Sequence, residues 1–369
     1  MKIIFVIKSL NSAVGGAERV FCNVCSGLVA RGHQVMIITF DASATNPFYY
    51  LDPRISRLTL AEGSAINKAT IAEVFIRMMS LRKIIALEKP NAVVGFMHSS
   101  YVILAFALLG TRAPLIGSEH TVREYYQKHS FQYFLVAVGG IFLDKLTVLS
   151  KNVLDSYPFF LRSKMIVVPN PIEAATHLSS IGENKNAYTL LSVGRLEESK
   201  DQSTLIKSFS LLADEFPKWH LRIVGDGPMF RDLQKLVKDL RLESQISMPG
   251  FVKNIRSEYE SAELFVIPSR FEAFGLVTAE AMSHGIPVIG FSDCPGTNEL
   301  IDSFESGVLI DPEGDRVASL ASGLGEIMAN PLLRYRLGSA GRKKIQELPS
   351  HDDVCDVWEK LISSLTRRN

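Results

Sequence analysis

The sequence predicts an α/β protein made of two doubly wound parallel-sheet domains, and three observations carry that prediction. Short, continuously apolar runs such as KIIFV, AVVGF, TLLSV, LFVI and PVIGF recur along the chain. Continuous rather than alternating apolarity marks strands buried on both faces. Between these runs lie stretches of helical periodicity punctuated by Gly and Pro, the alternation expected of parallel sheets. At 369 residues, 47% of them apolar and 21% charged, the chain exceeds what one core accommodates and is long enough for two.

In the first half, a strand at 2–7 leads to GGAER (15–19), which opens a helix to about residue 31; GHQVMIITF (32–40) follows as the next strand. This order lacks G-x-G-x-x-G, so it gives little support to a dinucleotide cofactor. Gly15 and Gly16 either let a ligand approach the backbone closely or simply make a tight turn. A helix at 68–88, a strand at 91–96, a helix at 99–109 and a strand at 114–118 come next. SEHT (118–121) then places Glu119 and His120 at a strand's carboxyl end, where open α/β sheets hold their ligands. His120, followed by Thr121 and Arg123, is the residue we single out in this half. Strands at 144–150 and 165–170 flank the short helix KNVLDSY.

The second half opens with a polar loop at 177–187. Strands at 189–196, 220–228, 246–252 and 264–269 then alternate with helices near 201–216, 229–241 and 254–261. VGRLEESKD sets Arg195 and Lys200 beyond a strand end. Two cations converging there suit a diphosphate, Arg by its fork and Lys as a point charge; as solvated surface charges they would need no explanation. GDGP, with Gly225 and Gly227, is a turn after a strand. FEAFGLVTAE (271–280) places Glu272 in a loop after LFVIPS. Phe274 and Gly275 turn the chain, and Leu276 begins a helix that carries Glu280 and stops at Gly285. Amides at such a helix start favour an anion, and carboxylates accept sugar hydroxyls. Gly296 and Thr297 precede another short helix, NELI, whose free amides suit phosphates. GVLID (307–311), a helix at 316–330 and a last helix at 352–366 finish the chain.

FEAFGLVTAE, with seven residues between Glu272 and Glu280 and set between a strand and a PVI strand, resembles the E-x7-E motif of glycosyltransferase family four. GRLEESKD matches that family's GRLxxxKD pattern completely. GGAER, VVPNPI and GDGP resemble its glycine loop, its linker sequence and its G-x-G segment. The resemblance implies the GT-B fold, two Rossmann-like domains facing a central cleft. The expected domains are 1–172 for the acceptor and 173–351 for the donor, with helix 352–369 packing back on the first. It implies a retaining transferase that moves a sugar from a nucleotide-diphosphate sugar, UDP-sugar favoured, to a saccharide. That acceptor would be lipid-linked, in surface glycan assembly. The implied catalytic residues are His120, Arg195, Lys200 and Glu272. Gly15, Gly16, Gly225, Gly227, Phe274, Gly275, Leu276, Glu280, Gly296 and Thr297 would complete the donor site, and Glu18, Arg19 and Glu119 would join His120 on the acceptor side. The chain reads PGTNE where the family often has GGPxE, which leaves the identity of the phosphate-binding amides open there. No D-x-D triplet occurs, so neither a divalent metal nor another cofactor is expected. The competing readings are a GT-B sugar-nucleotide epimerase and a non-catalytic nucleotide-sugar-binding subunit.

Formal net charge is +1, yet residues 1–172 carry 18 Lys and Arg against 10 Asp and Glu, while the remainder carries 22 against 29. The basic first half is either ordinary scatter or a side that meets an anionic surface such as a membrane or lipid phosphate; no nucleic-acid partner is expected. FQYFLVAVGGIFL (131–143) is apolar but too short to span a bilayer. The helix at 68–88 mixes Ile71, Val74, Phe75, Met78, Met79 and Leu81 with Lys68, Arg77, Arg82 and Lys83. One of the two lying on a bilayer competes with both being ordinary sheet-covering helices. The expected location is cytoplasmic, peripheral at the inner face of the membrane, since MKIIFVIKSL reads as a buried strand rather than a signal. Cys22, Cys25, Cys294 and Cys355 read as buried thiols of a reducing compartment.

Overall fold

The computed structural model describes residues 1–11, 15–41, 46–61, 69–181 and 185–366, so Lys68 and part of the 177–187 loop lie outside the described residues. The chain forms two compact units, Met1–Pro171 with Pro349–Asn369, and Ile172–Leu348.

In the first unit the elements are β1 (Lys2–Val6), α1 (Gly16–Ala30), β2 (Gln34–Thr39), β3 (Ser56–Thr59), α2 (Ile71–Glu88), β4 (Ala92–Phe96) and α3 (His98–Ala107). Then come β5 (Leu115–Ser118), α4 (Arg123–Gln127), α5 (Ser130–Ile141), β6 (Lys145–Val148), α6 (Lys151–Ser156), α7 (Phe159–Arg162) and β7 (Met165–Val167). Its seven strands are parallel in the order β3-β2-β1-β4-β5-β6-β7. In the second unit, β8 (Tyr188–Val193), α8 (Gln202–Ser210), β9 (Trp219–Val224), α9 (Phe230–Asp239), β10 (Ile246–Gly250) and α10 (Ile255–Ser261) come first. They are followed by β11 (Leu264–Ile267), α11 (Leu276–Ser283), β12 (Val288–Phe291), α12 (Thr297–Leu300), β13 (Val308–Ile310), α13 (Arg316–Ala329) and α14 (Pro331–Gln346). These six strands are also parallel, ordered β10-β9-β8-β11-β12-β13.

Each sheet therefore reverses its strand order once, at β1/β4 and at β8/β11. In open parallel sheets the loops beyond the carboxyl ends of the strands at such a reversal are the place where ligands bind. The central strands earn their positions by burial: every residue of β4, β5, β11 and β12 is buried.

The last helix, α15 (His351–Thr366), belongs to the first unit and packs on α1. Trp358 packs its ring against both Phe5 and Phe96, and Arg31 pairs with Asp356 at 2.9 Å.

Besides the short helices α4 and α7, two elements escape the sequence reading. β3 (SRLT) is an edge strand with alternating exposure, so it carries no apolar run. α14 hides because its buried face mixes Leu337 and Ile345 with two glycines and an arginine. The Arg334 guanidinium is buried, donates to Ile327 O and Met328 O at the end of α13, and lies 5.2 Å from the Trp219 ring centroid.

A third difference concerns the basic helix. Arg77, which the sequence groups with Arg82 and Lys83 as a cation of this helix, is buried, its guanidinium 4.7 Å from the Phe40 ring. Arg82 donates to Ala107 O and Leu109 O at the end of α3. The outer face of α2 carries exposed Ile71, Phe75, Met79 and Leu87 together with exposed Arg82 and Lys83. α2, α3, α5 and α7 pack in succession, and Phe131 and Phe134 on α5 and Phe159 on α7 continue the exposed apolar surface.

Candidate active site

In the second unit, three loops meet beyond the β8/β11 reversal. After β8, the chain passes Arg195 and makes a short helical turn, Glu198–Lys200. Asp201 follows at φ 49, buried, and accepts from Thr204 Oγ1 at 2.8 Å. Arg270 fastens this loop to the one after β11, pairing with Asp201 at 2.8 Å while its amide donates to Ser199 O. The result is that Lys200 Nζ lies 2.7 Å from Glu272 Oε1, an oxygen that also accepts from Ser269 Oγ at 2.8 Å. Two motifs 72 residues apart in sequence thus share one ion pair.

The third loop is 293–297. The Glu272 amide donates to Pro295 O, and Gly296 sits at φ +77 so close that a Cβ there would be 2.6 Å from Glu272 O. Only glycine fits, for both conformation and space. Gly275, at φ +81, starts α11. Phe274 is buried beneath the turn and Leu276 is half-buried at the helix start.

Several expected ligands are placed less simply. Glu280 Oε2 accepts from the buried Tyr259 hydroxyl at 2.8 Å, so a tyrosine orients that carboxylate. Arg195 does not converge with Lys200 on one partner: it is exposed, with its Nε 3.5 Å from Glu197. Thr297 is fully buried, its hydroxyl facing the Cys294 thiol, which leaves only its backbone for a ligand. Burial pushes that thiol up to about 12, so Cys294 is a neutral neighbour of Thr297. Gly225 and Gly227 are explained by packing, since a Cβ at either would strike the backbone oxygen of Gly194 or Leu196.

In the first unit, Gly15 caps α1, and the Glu18 carboxylate folds back to where a Gly15 Cβ would be. There it faces the positive end of its own helix. Gly16 is exposed and Arg19 is half-buried in the same first turn.

Glu119 requires a correction. The sequence resemblance puts it on the acceptor side, whereas the structure buries it and turns it inward. Its Oε2 accepts from the Tyr101 hydroxyl at 2.6 Å and the Tyr126 hydroxyl at 2.9 Å. Its Oε1 accepts from the amides of His120 and Thr121, both at 3.0 Å. Burial and the adjacent carboxylate raise both tyrosines, so they remain donors. Glu119 is a clamp on the loop that carries His120.

His120 is half-buried. Its ring stacks on Phe96 at 4.7 Å and 24°, and Nε2 lies 3.0 Å from Ser118 Oγ. Burial lowers its pKa to about 3, so the imidazole is neutral at pH 7. Beside it, at the end of β4, Met97 adopts φ 65 to start α3, and His98 lies near the stacked pair Tyr125–His129 (ring centroids 4.4 Å, 10°). Neither the strained turn nor the gathering of these rings is legible in the sequence. The turn has no glycine to announce it, and the rings come together only because β4 and β5 are neighbours.

Comparison with known proteins bears on both units. The family model for glycosyl transferases group 1 matches residues 174–344, and that for Glycosyltransferase Family 4 matches 14–176. An uncharacterized glycosyltransferase of Haemophilus influenzae is 28% identical, over 98% of this chain and 99% of its own. The Campylobacter jejuni "GalNAc-alpha-(1->4)-GalNAc-alpha-(1->3)-diNAcBac-PP-undecaprenol alpha-1,4-N-acetyl-D-galactosaminyltransferase" is 28% identical, over 99% of both chains. Among solved structures, sucrose-phosphate synthase from Thermosynechococcus elongatus has the same fold, with TM-score 0.86, 19% identity and 100% coverage of both chains. Anabaena HepE, solved with UDP and glucose, gives TM-score 0.80 at 18% identity, covering 99% of this chain and 100% of its own.

Proposed function

Since the chain belongs to glycosyltransferase family four and has the GT-B fold, we propose that it is a retaining, metal-independent transferase that uses a UDP-sugar. Its acceptor is a lipid-linked saccharide in glycan assembly. The observation that carries this reading is the Lys200–Glu272 pair at 2.7 Å, which joins the GRLxxxKD and E-x7-E motifs in one place.

In this reading Lys200 and Arg195 face the donor diphosphate and neutralise the charge that develops as it leaves. Glu272 accepts hydroxyls of the transferred sugar, and its pairing with Lys200 holds both in place beforehand. Glu280, oriented by Tyr259, accepts the ribose hydroxyls. His120, being neutral, serves as a hydrogen-bonding group rather than a charge. The acceptor hydroxyl attacks the face from which the diphosphate departs, so the anomeric configuration is kept. The Campylobacter relative, whose name specifies a PP-undecaprenol acceptor, supports a lipid-linked substrate.

A lipid-linked acceptor calls for contact with a membrane surface. Among the described residues no helix is long and apolar enough to cross a bilayer. The exposed Phe75, Phe131, Phe134 and Phe159 on α2, α5 and α7 fit a peripheral docking face at the cytoplasmic side, supported by the basic balance of the first half.

A thermal-shift screen of UDP-, GDP- and ADP-sugars tests the donor. A ligand at a hundred times its Kd adds about 2.7 kcal/mol by mass action, or roughly 5–10 °C in Tm for a unit of this size. The anomeric coupling of the product, read by NMR, tests retention. Stabilisation by no nucleotide sugar, or an inverted product, would refute the proposal.

A further inference from the structure

We propose that Ser118 and Thr147 set the tautomer of His120, so that the ring offers Nδ1–H outward as a neutral donor while Nε2 is held as an acceptor inside the fold. The two residues face each other across β5 and β6, where they are register partners. Both side chains are buried, and their hydroxyl oxygens are 2.9 Å apart. Ser118 Oγ is also 3.0 Å from His120 Nε2.

Two proton arrangements satisfy these distances. In the first, Thr147 donates to Ser118 and Ser118 donates to Nε2, so the ring proton resides on Nδ1. In the second, Nε2–H donates to Ser118 and Ser118 donates to Thr147. That leaves the Thr147 hydroxyl proton with no acceptor among the described residues. A buried O–H without a partner is costly, whereas a hydroxyl oxygen with an unused lone pair is not. The first arrangement is therefore favoured, by roughly tenfold.

The ring has little other freedom. Phe96 lies under one face, and Trp358 of α15 backs Phe96 at 5.9 Å and 24°. Glu119 ties down the amides of His120 and Thr121. With plane and position fixed, the tautomer decides what the ring can recognise. An Nδ1–H donor selects an oxygen acceptor, such as a sugar hydroxyl or an N-acetyl carbonyl, and cannot serve as a base. Ser118 and Thr147 are positioning residues in this scheme. The consequence for transfer rests on the reading of His120 given under Proposed function; the tautomer itself does not.

The full chain labelled with 15N-histidine provides the test, with the His120 signals assigned by their loss in His120→Gln. We expect a protonated Nδ1 and a bare Nε2 in a ratio of about ten to one. Ser118→Ala removes the donor to Nε2 and should give a mixture of tautomers, with kcat down about fivefold and donor KM within about twofold. Thr147→Val, close in shape, should keep the Nδ1–H form, because the Ser118 proton then has only His120 to go to. A wild-type ring protonated at Nε2, or a Thr147→Val ring that switches, would overturn the relay. If the tautomers behave as expected but His120→Gln and Ser118→Ala leave transfer unchanged, the relay stands and the placement of His120 at the transfer site falls.

Discussion

Replacing Glu119 separates a structural clamp from an acceptor-binding carboxylate. The side chain is 1% exposed and accepts four hydrogen bonds, two from tyrosine hydroxyls and two from backbone amides. Hydrogen bonds to a charged group contribute about 1.5–3 kcal/mol each. Glu119→Gln keeps one oxygen but turns an amide toward either the tyrosines or the backbone, so the equivalent of one or two such bonds is lost, about 2–4 kcal/mol. Glu119→Ala strands all four donors and should cost more. With roughly 2–4 °C per kcal/mol for a unit of this size, the Gln variant should melt about 4–16 °C lower by circular dichroism or scanning fluorimetry. Tyr101→Phe and Tyr126→Phe should each destabilise less, and their effects should shrink in the Gln background because they share the same carboxylate. An acceptor-binding Glu119 would give the opposite pattern, a raised acceptor KM with an unchanged Tm. A Glu119→Ala protein that melts within about 2 °C of wild type would refute the clamp.

Three further outcomes are expected. Lys200→Ala should lower kcat/KM by roughly tenfold to a thousandfold while leaving Tm nearly unchanged, since the lysine sits on a loop; wild-type turnover would remove it from the site. Glu280→Gln should weaken binding of free nucleoside diphosphate, whereas Glu272→Gln should impair transfer with less effect on that binding; equal affinities by calorimetric titration would count against this division of roles. His120 is neutral in the folded protein down to about pH 3 but takes a proton near pH 6.5 when unfolded, so the unfolded state binds more protons between those values. Its contribution to stability is present above pH 6.5 and is lost as pH falls toward 3. Denaturant titrations of His120→Gln should therefore show a shallower acid decline than wild type, and parallel declines would contradict the burial of the ring.

The sequence by itself determined the fold class. Buried parallel strands need continuous apolar runs, and ligand loops need glycine at set offsets; both are local properties that a linear reading captures. It also singled out Lys200 and Glu272, through motifs that resemble the family's and that lie in loops following strands. Tertiary structure alone decided what those residues touch. Lys200 meets Glu272 because β8 and β11, distant in sequence, are adjacent at the point where the sheet reverses. Glu119 and His120 are neighbours in the chain and look equally available, yet one turns inward to two tyrosines and the other stacks on Phe96, backed by a tryptophan from the last helix. Arg77 reads as a surface cation until Phe40 packs against it. A charged side chain's role depends on which partners its desolvation is shared with, and those partners are assigned only when distant strands and helices pack together.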